Sequence, residues 1–315
     1  MAKGELGLGF PGQGQLEPGI GEEAWHKSIG AKRVFYAGSL VAEVDLTEVC
    51  FGSMTSELKD YPQVALTAVC LGDLEYAKDR GAKPKKTFAL SAGEVAALGA
   101  TNTFMLHDTF YVAREREKAM RVSNDNDPGR MVSIKGLTKE QLGHLKDHLP
   151  TSARVFLANV LEHDWHSYSV DISMPPRIER AVQKLKELGL AKKVRVVNMP
   201  DEVPPAHSPF QEETVEPLRE KLEVIKSRII PPGEKFMPET GVPLKTQQDV
   251  IDYLLRQLVT TTNLPDLLQF LYRSGIKDYL ILGPGDFLPG LIQRQFKGAV
   301  LLNQPFGQIV RVDNV

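Results

Sequence analysis

The stretch Thr87-Phe-Ala-Leu-Ser91-Ala-Gly-Glu94-Val-Ala-Ala-Leu98 constrains the fold more than any other part of the chain. An apolar run of strand type enters it, a turn of small residues carries one serine, and a helix-forming segment leaves. That is the layout of a nucleophile elbow, which lifts a serine hydroxyl above a sheet at the start of a helix. There the backbone N–H of Ala92 has no intrahelical acceptor and is available to an oxyanion. Where a G-x-S-x-G elbow has its first glycine, this chain has Ala89. Taken alone, the stretch reads equally as an ordinary strand-to-helix turn.

A chain of 315 residues can bury one large domain and a smaller one. A formal net charge of −2 supplies no broad attraction to nucleic acid or anionic lipid, so neither is expected as a partner. Cys50 and Cys70 lie in apolar context and read as reduced core residues. No signal-type apolar segment follows Met1-Ala-Lys-Gly-Glu5, and no later run approaches membrane-spanning length. A cytoplasmic location is expected, or an organelle lumen if a transit peptide has been removed.

Upstream of the elbow, Leu6-Gly-Leu-Gly-Phe10-Pro-Gly-Gln13-Gly-Gln15 reads as a short strand breaking into a glycine-rich loop. No Gly-Lys-Ser/Thr follows, which argues against a phosphate loop. The glycines allow close approach of the backbone to a ligand, with Gln13 as a donor. Downstream, Val112, Arg116, Ala119 and Met120 fall at i, i+4, i+7 and i+8 of a helix near 108–122, so Arg116 lies on its apolar stripe. A guanidinium there needs an anionic partner. Two partners fit equally: a core carboxylate, or the carboxylate of a substrate gripped bidentately.

Residues 129–199 form a unit of their own. A strand at 130–135 precedes the capping box Thr138-Lys-Glu-Gln141, and a second strand covers 154–160. In a third, Tyr168, Val170, Ile172 and Met174 alternate with Ser167, Ser169, Asp171 and Ser173. A helix opened by Pro175-Pro176 and closed by Gly189 leads to a last strand at 193–199. The order βαββαβ is the ferredoxin-like arrangement, inserted into a larger domain made of 1–128 and 200–315. In that domain His207 sits in a proline-rich loop, where it is either an exposed residue or the base for Ser91. His163-Asp-Trp-His166 lacks a third metal ligand, and no metal site is expected. Gln257 lies beside the stripe Val250, Leu254, Leu258, and a helix–strand–turn–helix piece around Gly283-Pro-Gly285 reads as part of a parallel sheet.

In this order the pieces resemble the malonyl-CoA:acyl carrier protein transacylase family, from Phe10 to about Phe296. Phe10-Pro-Gly-Gln13-Gly14 is similar to its F-P-G-Q-G loop, and Ser91-Ala-Gly-Glu94 to the end of its G-H-S-L-G-E elbow. Arg116-Glu-Lys-Ala-Met120, Ala158-Asn159, His207-Ser-Pro, Arg256-Gln257-Leu258 and Gly283-Pro-Gly285 match further family motifs in sequence order. The resemblance implies an α/β-hydrolase-like core with the inserted ferredoxin-like domain. It implies acyl transfer through Ser91, with His207 as base and the N–H groups of Gln13 and Ala92 as the oxyanion hole. Arg116 would hold the malonyl carboxylate, the Gln257 carbonyl would orient His207, and Asn159 and Leu90 would border the substrate. The donor would be malonyl-CoA or a related acyl-CoA and the acceptor an acyl carrier protein, usually acidic, docking on lysines and arginines. No prosthetic group is implied, and a monomer is expected. Leu90 stands where the family has histidine, and Val160-Leu-Glu-His-Asp-Trp165 replaces its second asparagine and Gly-Gln pair. An acyl hydrolase acting on carrier proteins and a non-catalytic binding module are the alternatives on the same fold.

Overall fold

A computed structural model describes residues 5–200 and 203–312, apart from the side chain of Lys139; the first four residues of the N-terminal segment read above lie outside it. The chain divides into two compact units. Unit 1 takes residues 1–118, 219–252 and 266–315; unit 2 takes 119–218 and 253–265. Unit 2 therefore contains the expected 129–199 segment together with flanking chain and a piece of a later helix.

In chain order the first elements are β1 (Glu5–Phe10), α1 (Glu22–Lys27), α2 (Ile29–Ala42), α3 (Leu46–Cys50), α4 (Pro62–Asp79), β2 (Lys86–Ala89), α5 (Gly93–Ala100) and α6 (Leu106–Asn126). Then follow β3 (Gly129–Lys135), α7 (Lys139–Asp147), β4 (Val155–Glu162), β5 (Trp165–Asp171), α8 (Pro175–Glu187) and β6 (Arg195–Asn198). The remainder is α9 (Glu212–Ile225), α10 (Gln247–Val259), β7 (Thr262–Asn263), α11 (Leu264–Arg273), β8 (Ile276–Ile281), α12 (Phe287–Gln295), β9 (Val300–Gln304) and β10 (Gly307–Arg311). Among the described residues no helix is long and apolar enough to cross a membrane.

Unit 1 is built on a sheet of order β2-β1-β8-β10-β9. β1 pairs in parallel with β2 and β8, and the hairpin β9–β10 extends the sheet antiparallel from β8. That hairpin has no counterpart in the sequence reading, which ended at the helix near Phe296. Its strands are short and half-exposed, so neither an apolar run nor a strict alternation marks them. α4 opens with Pro62 at its first turn, and thirteen of its residues are buried on all sides. Apolar residues all round a helix mark one enclosed by other elements. Cys50 and Cys70 are free and buried, and burial pushes the Cys50 thiol up to about 12.

The turn after β8 is tied to two earlier elements of the same unit. The Gln15 side chain accepts the Phe287 N–H (2.8 Å), satisfying an orphan donor at the start of α12. Gly283, at φ 107°, donates its N–H to Asp73 Oδ2 (3.1 Å). Desolvation raises the Asp73 carboxyl to about 7; the Gly283 hydrogen bond opposes the rise and the Glu23 charge adds to it. Between about pH 4 and 7 the folded chain therefore holds a proton that the unfolded chain has lost, so stability falls as pH rises through that window. Asp73→Asn keeps an acceptor for Gly283 without the charge. Its unfolding free energy should gain on the wild type by roughly 1–3 kcal/mol between pH 5 and 8, read from denaturant titrations; a difference flat across that range contradicts the assignment.

The sheet of unit 2 has the order β6-β3-β5-β4-β7, antiparallel except for the β4–β7 pair. Its apolar face carries Val132, Ile134, Tyr168 and Val170 against Leu142 and Leu145 of α7 and Ile178, Val182 and Leu185 of α8. The capping box of Thr138 and Gln141 opens α7. Pro175 starts α8, and Gly189 follows its end at φ 72°. β5 ends at Asp171, so Ile172 and Met174 fall outside the expected strand; Ile172 is exposed and Met174 turns back onto the Asp171 carbonyl. The polar half of the alternation is not a solvated face. Ser167 and Ser169 are buried, and Ser169 donates to the carbonyl of Ala206 (2.6 Å).

Candidate active site

Ser91 occupies the turn between β2 and α5 with φ 54°. A left-handed backbone at a residue with a side chain is uncommon and costs of order 1–3 kcal/mol, which the surroundings must hold in place. β1 does so here. Leu90 donates its N–H to the Phe10 carbonyl (3.0 Å), and its own carbonyl accepts from Gly93. A Cβ on Gly93 would strike the Pro11 carbonyl, and one on Gly12 would lie 3.3 Å from the Leu90 carbonyl and 3.7 Å from Ser91 Cβ. The Gln13 loop and the elbow are therefore packed backbone to backbone. Among the described residues the Ala92 and Gln13 N–H groups enter no hydrogen bond. Leu90 itself is buried.

Arg116 is 2% exposed on α6, as its place on the apolar stripe requires. Its Nη1 donates to Gln63 Oε1 (2.7 Å). The adjacent residue Glu117 accepts the Gln63 backbone N–H (2.7 Å), so neighbouring residues of α6 hold both ends of Gln63 at the start of α4. Desolvation lowers the Arg116 guanidinium to about 10, and the negative charge of buried Glu94 opposes that shift. At neutral pH it remains a cation. Of the two alternatives, the core carboxylate is partly realised: the charge of Glu94 acts on Arg116, while the guanidinium also donates to a neutral amide. Sequence reading passed over Gln63 and Glu94. The signal for Gln63 was a glutamine immediately after the helix-opening Pro62, in a segment otherwise apolar.

In unit 2, His207 is 1% exposed rather than displayed on an open loop, and it too has a left-handed backbone, φ 57°. Among the described residues only Glu43, Ser91, Asn102 and His207 combine a side chain with positive φ. His207 Nδ1 lies 2.7 Å from the carbonyl oxygen of Gln257. A carbonyl only accepts, so Nδ1 carries the proton and the neutral ring has its lone pair on Nε2, the tautomer of a general base. The loop is pinned on both sides of the histidine. Ser169 holds the Ala206 carbonyl, Gln211 donates to the Pro205 carbonyl (3.2 Å), and the Ser208 N–H donates to Leu258 (3.2 Å). Ser169 was read only as the polar half of an alternation. Asn159, buried in β4, accepts from the Thr262 hydroxyl (2.7 Å), which links β4 to β7.

No protein-family model matches the chain. The chain is 28% identical over 292 residues to the malonyl CoA-acyl carrier protein transacylase of Bacillus subtilis (strain 168), covering 90% of this chain and 88% of that protein. The crystal structure of the transacylase of the same name from Clostridium perfringens superposes with a TM-score of 0.82 at 24% identity, covering 96% of this chain and 93% of that one. A malonyl-transacylase in complex with its type II PKS acyl-carrier protein gives a TM-score of 0.79 at 22% identity, with 92% and 93% covered. Sequence and fold agree first on the class: this is an acyltransferase on a mixed α/β scaffold. Within that class, the relatives found by sequence and by fold are malonyl CoA-acyl carrier protein transacylases.

Proposed function

We propose that the chain transfers a malonyl or similar dicarboxylic acyl group from coenzyme A to the phosphopantetheine thiol of an acyl carrier protein, by a ping-pong mechanism through an acyl-serine. The observation that carries the reading is the left-handed backbone shared by Ser91 and His207, the two residues the family pattern assigns to nucleophile and base. His207 Nε2 accepts the Ser91 proton as Oγ attacks the thioester carbonyl. The N–H groups of Gln13 and Ala92 donate to the oxyanion that forms. Collapse breaks the C–S bond, and the imidazolium returns its proton to the leaving coenzyme A thiolate. The carrier thiol then repeats the sequence in reverse, leaving Ser91 as it began. The Gln257 carbonyl keeps the imidazole in the required tautomer throughout.

Arg116 supplies the selectivity for a second carboxylate, with Gln63 and Glu94 fixing the guanidinium. Asn159 and Leu90 border the acyl group. Exchange between thioesters is redox-neutral and calls on a nucleophile, a base and oxyanion donors alone. The protein incubated with malonyl-CoA should gain one malonyl mass increment on Ser91 and lose it to a holo-carrier protein. Release of free malonate faster than transfer decides for a hydrolase, and failure of both steps overturns the reading.

A further inference from the structure

Gln13 supplies an oxyanion donor in the reading above, yet nothing of its own holds that donor in place. Among the described residues its backbone N–H enters no hydrogen bond, and its side-chain oxygen is buried without a donor. Its direction is therefore set by its neighbours. On one side Gly12 packs against the elbow. On the other, Pro11 and Gln15, two positions before and two after Gln13, both rest on the turn Gly283-Pro-Gly285 that follows β8. A Cβ on Gly283 would lie 3.1 Å from the Pro11 ring, and one on Gly285 would strike the Gln15 side chain. That same side chain accepts the Phe287 N–H just beyond the turn.

The turn is in its own right seated on α4. Asp73 Oδ2 accepts the Gly283 N–H, and Cys70, three residues earlier on the same face of α4, lies against Gly283; a Cβ there would come within 2.7 Å of its Sγ. Both glycines of the turn have positive φ, 107° and 75°, a conformation to which glycine is free to go but not confined, so an anchor from outside decides it. Among the described residues Asp73 accepts no other hydrogen bond and enters no ion pair. Holding Gly283 is the polar contact its carboxyl makes. We propose that Asp73 is a positioning residue for the oxyanion hole: through Gly283 it fixes the turn on which Pro11 and Gln15 rest, and through them the direction of the Gln13 N–H. The assignment rests on the acyl-transfer reading above. An oxyanion donor acts where charge develops in the transition state, so misdirecting it lowers the rate and leaves substrate binding alone. The thioester carbonyl passes through an oxyanion in both half-reactions and for every acyl group. The loss must therefore be common to all of them.

The test compares Asp73→Leu and Asp73→Asn with wild type, using malonyl-CoA and acetyl-CoA as donors and the holo-acyl carrier protein of Bacillus subtilis as acceptor. All rates are read at a temperature where thermal melts show each protein folded. In Asp73→Leu, acylation and discharge should each lose about tenfold or more in kcat, by the same factor for malonyl and acetyl, with KM for malonyl-CoA within about twofold. Asparagine keeps an acceptor for Gly283, so Asp73→Asn should stay within about threefold of wild type. A kcat for Asp73→Leu within twofold of wild type overturns the proposal. So does a loss carried by KM, a loss confined to one acyl group or one half-reaction, or an equal loss in both variants. If Asp73→Leu does not fold, Asp73→Ala is read in its place, and failure of both makes Asp73 a structural residue. If the wild type takes no acyl group, the acyl-transfer reading fails. Hydrogen exchange at the Phe287 amide then still decides whether Asp73 holds the loop: faster exchange in Asp73→Leu supports the anchor, and an unchanged rate removes it.

Discussion

Replacing Ser91 with alanine is expected to leave a folded protein that takes no acyl group from malonyl-CoA. The loss should be of order 10⁴–10⁶ in transfer rate, because removing the nucleophile from a set of groups that act together costs nearly all of their joint effect. Intact mass reads the result directly: the wild type gains the malonyl increment and the variant does not. Alanine meets the same left-handed backbone as serine at φ 54°, so stability should hold within about 1 kcal/mol. Transfer persisting at the wild-type rate in Ser91→Ala would remove Ser91 as the nucleophile.

The second large effect is expected at Arg116, and it is an effect on selectivity. A guanidinium holding a carboxylate through two charge-assisted hydrogen bonds contributes about 1.5–3 kcal/mol for each. Arg116→Ala should therefore lower malonyl transfer by about 10²–10⁴-fold while acetyl transfer holds or rises. Removal of the cation also leaves Glu94 buried without its opposing charge, so the melting temperature should drop as well. The ratio of the two acyl groups at a temperature where both proteins are folded separates these consequences. Equal losses for malonyl and acetyl would make Arg116 a structural residue.

What the sequence disclosed depended on the range over which each feature is encoded. The elbow is local: strand, small-residue turn and helix follow one another within Thr87–Leu98, and the structure places them as β2, the Ser91 turn and α5. The burial of Arg116 is also local, since helical period alone puts it on the stripe of Val112 and Met120. The strands and helices of 129–199 were legible for the same reason, from capping residues, prolines and alternation. Contacts closed by tertiary structure were not. Nothing near His207 shows that its backbone turns left-handed, or that Ser169 would reach the carbonyl before it. Likewise, nothing about Gln63 identifies Arg116, fifty-three positions later, as the donor to its side chain. Period-2 alternation tells which residues share a face, but not whether the polar face meets water or another loop.

The order of the first sheet has a consequence for how the protein is made. β1 and β2 leave the ribosome early, but the other edge of β1 belongs to β8, near the end of the chain. At ordinary rates of synthesis β1 waits roughly 10–40 s after β2 for that partner. Until then it presents an open apolar edge of the kind that recruits other strands. The backbone of β1 also supports the Ser91 turn, so the elbow reaches its final form only when about the last eighth of the chain arrives. A nascent or truncated chain ending before Ile276 should therefore aggregate rather than accumulate as a smaller, working enzyme.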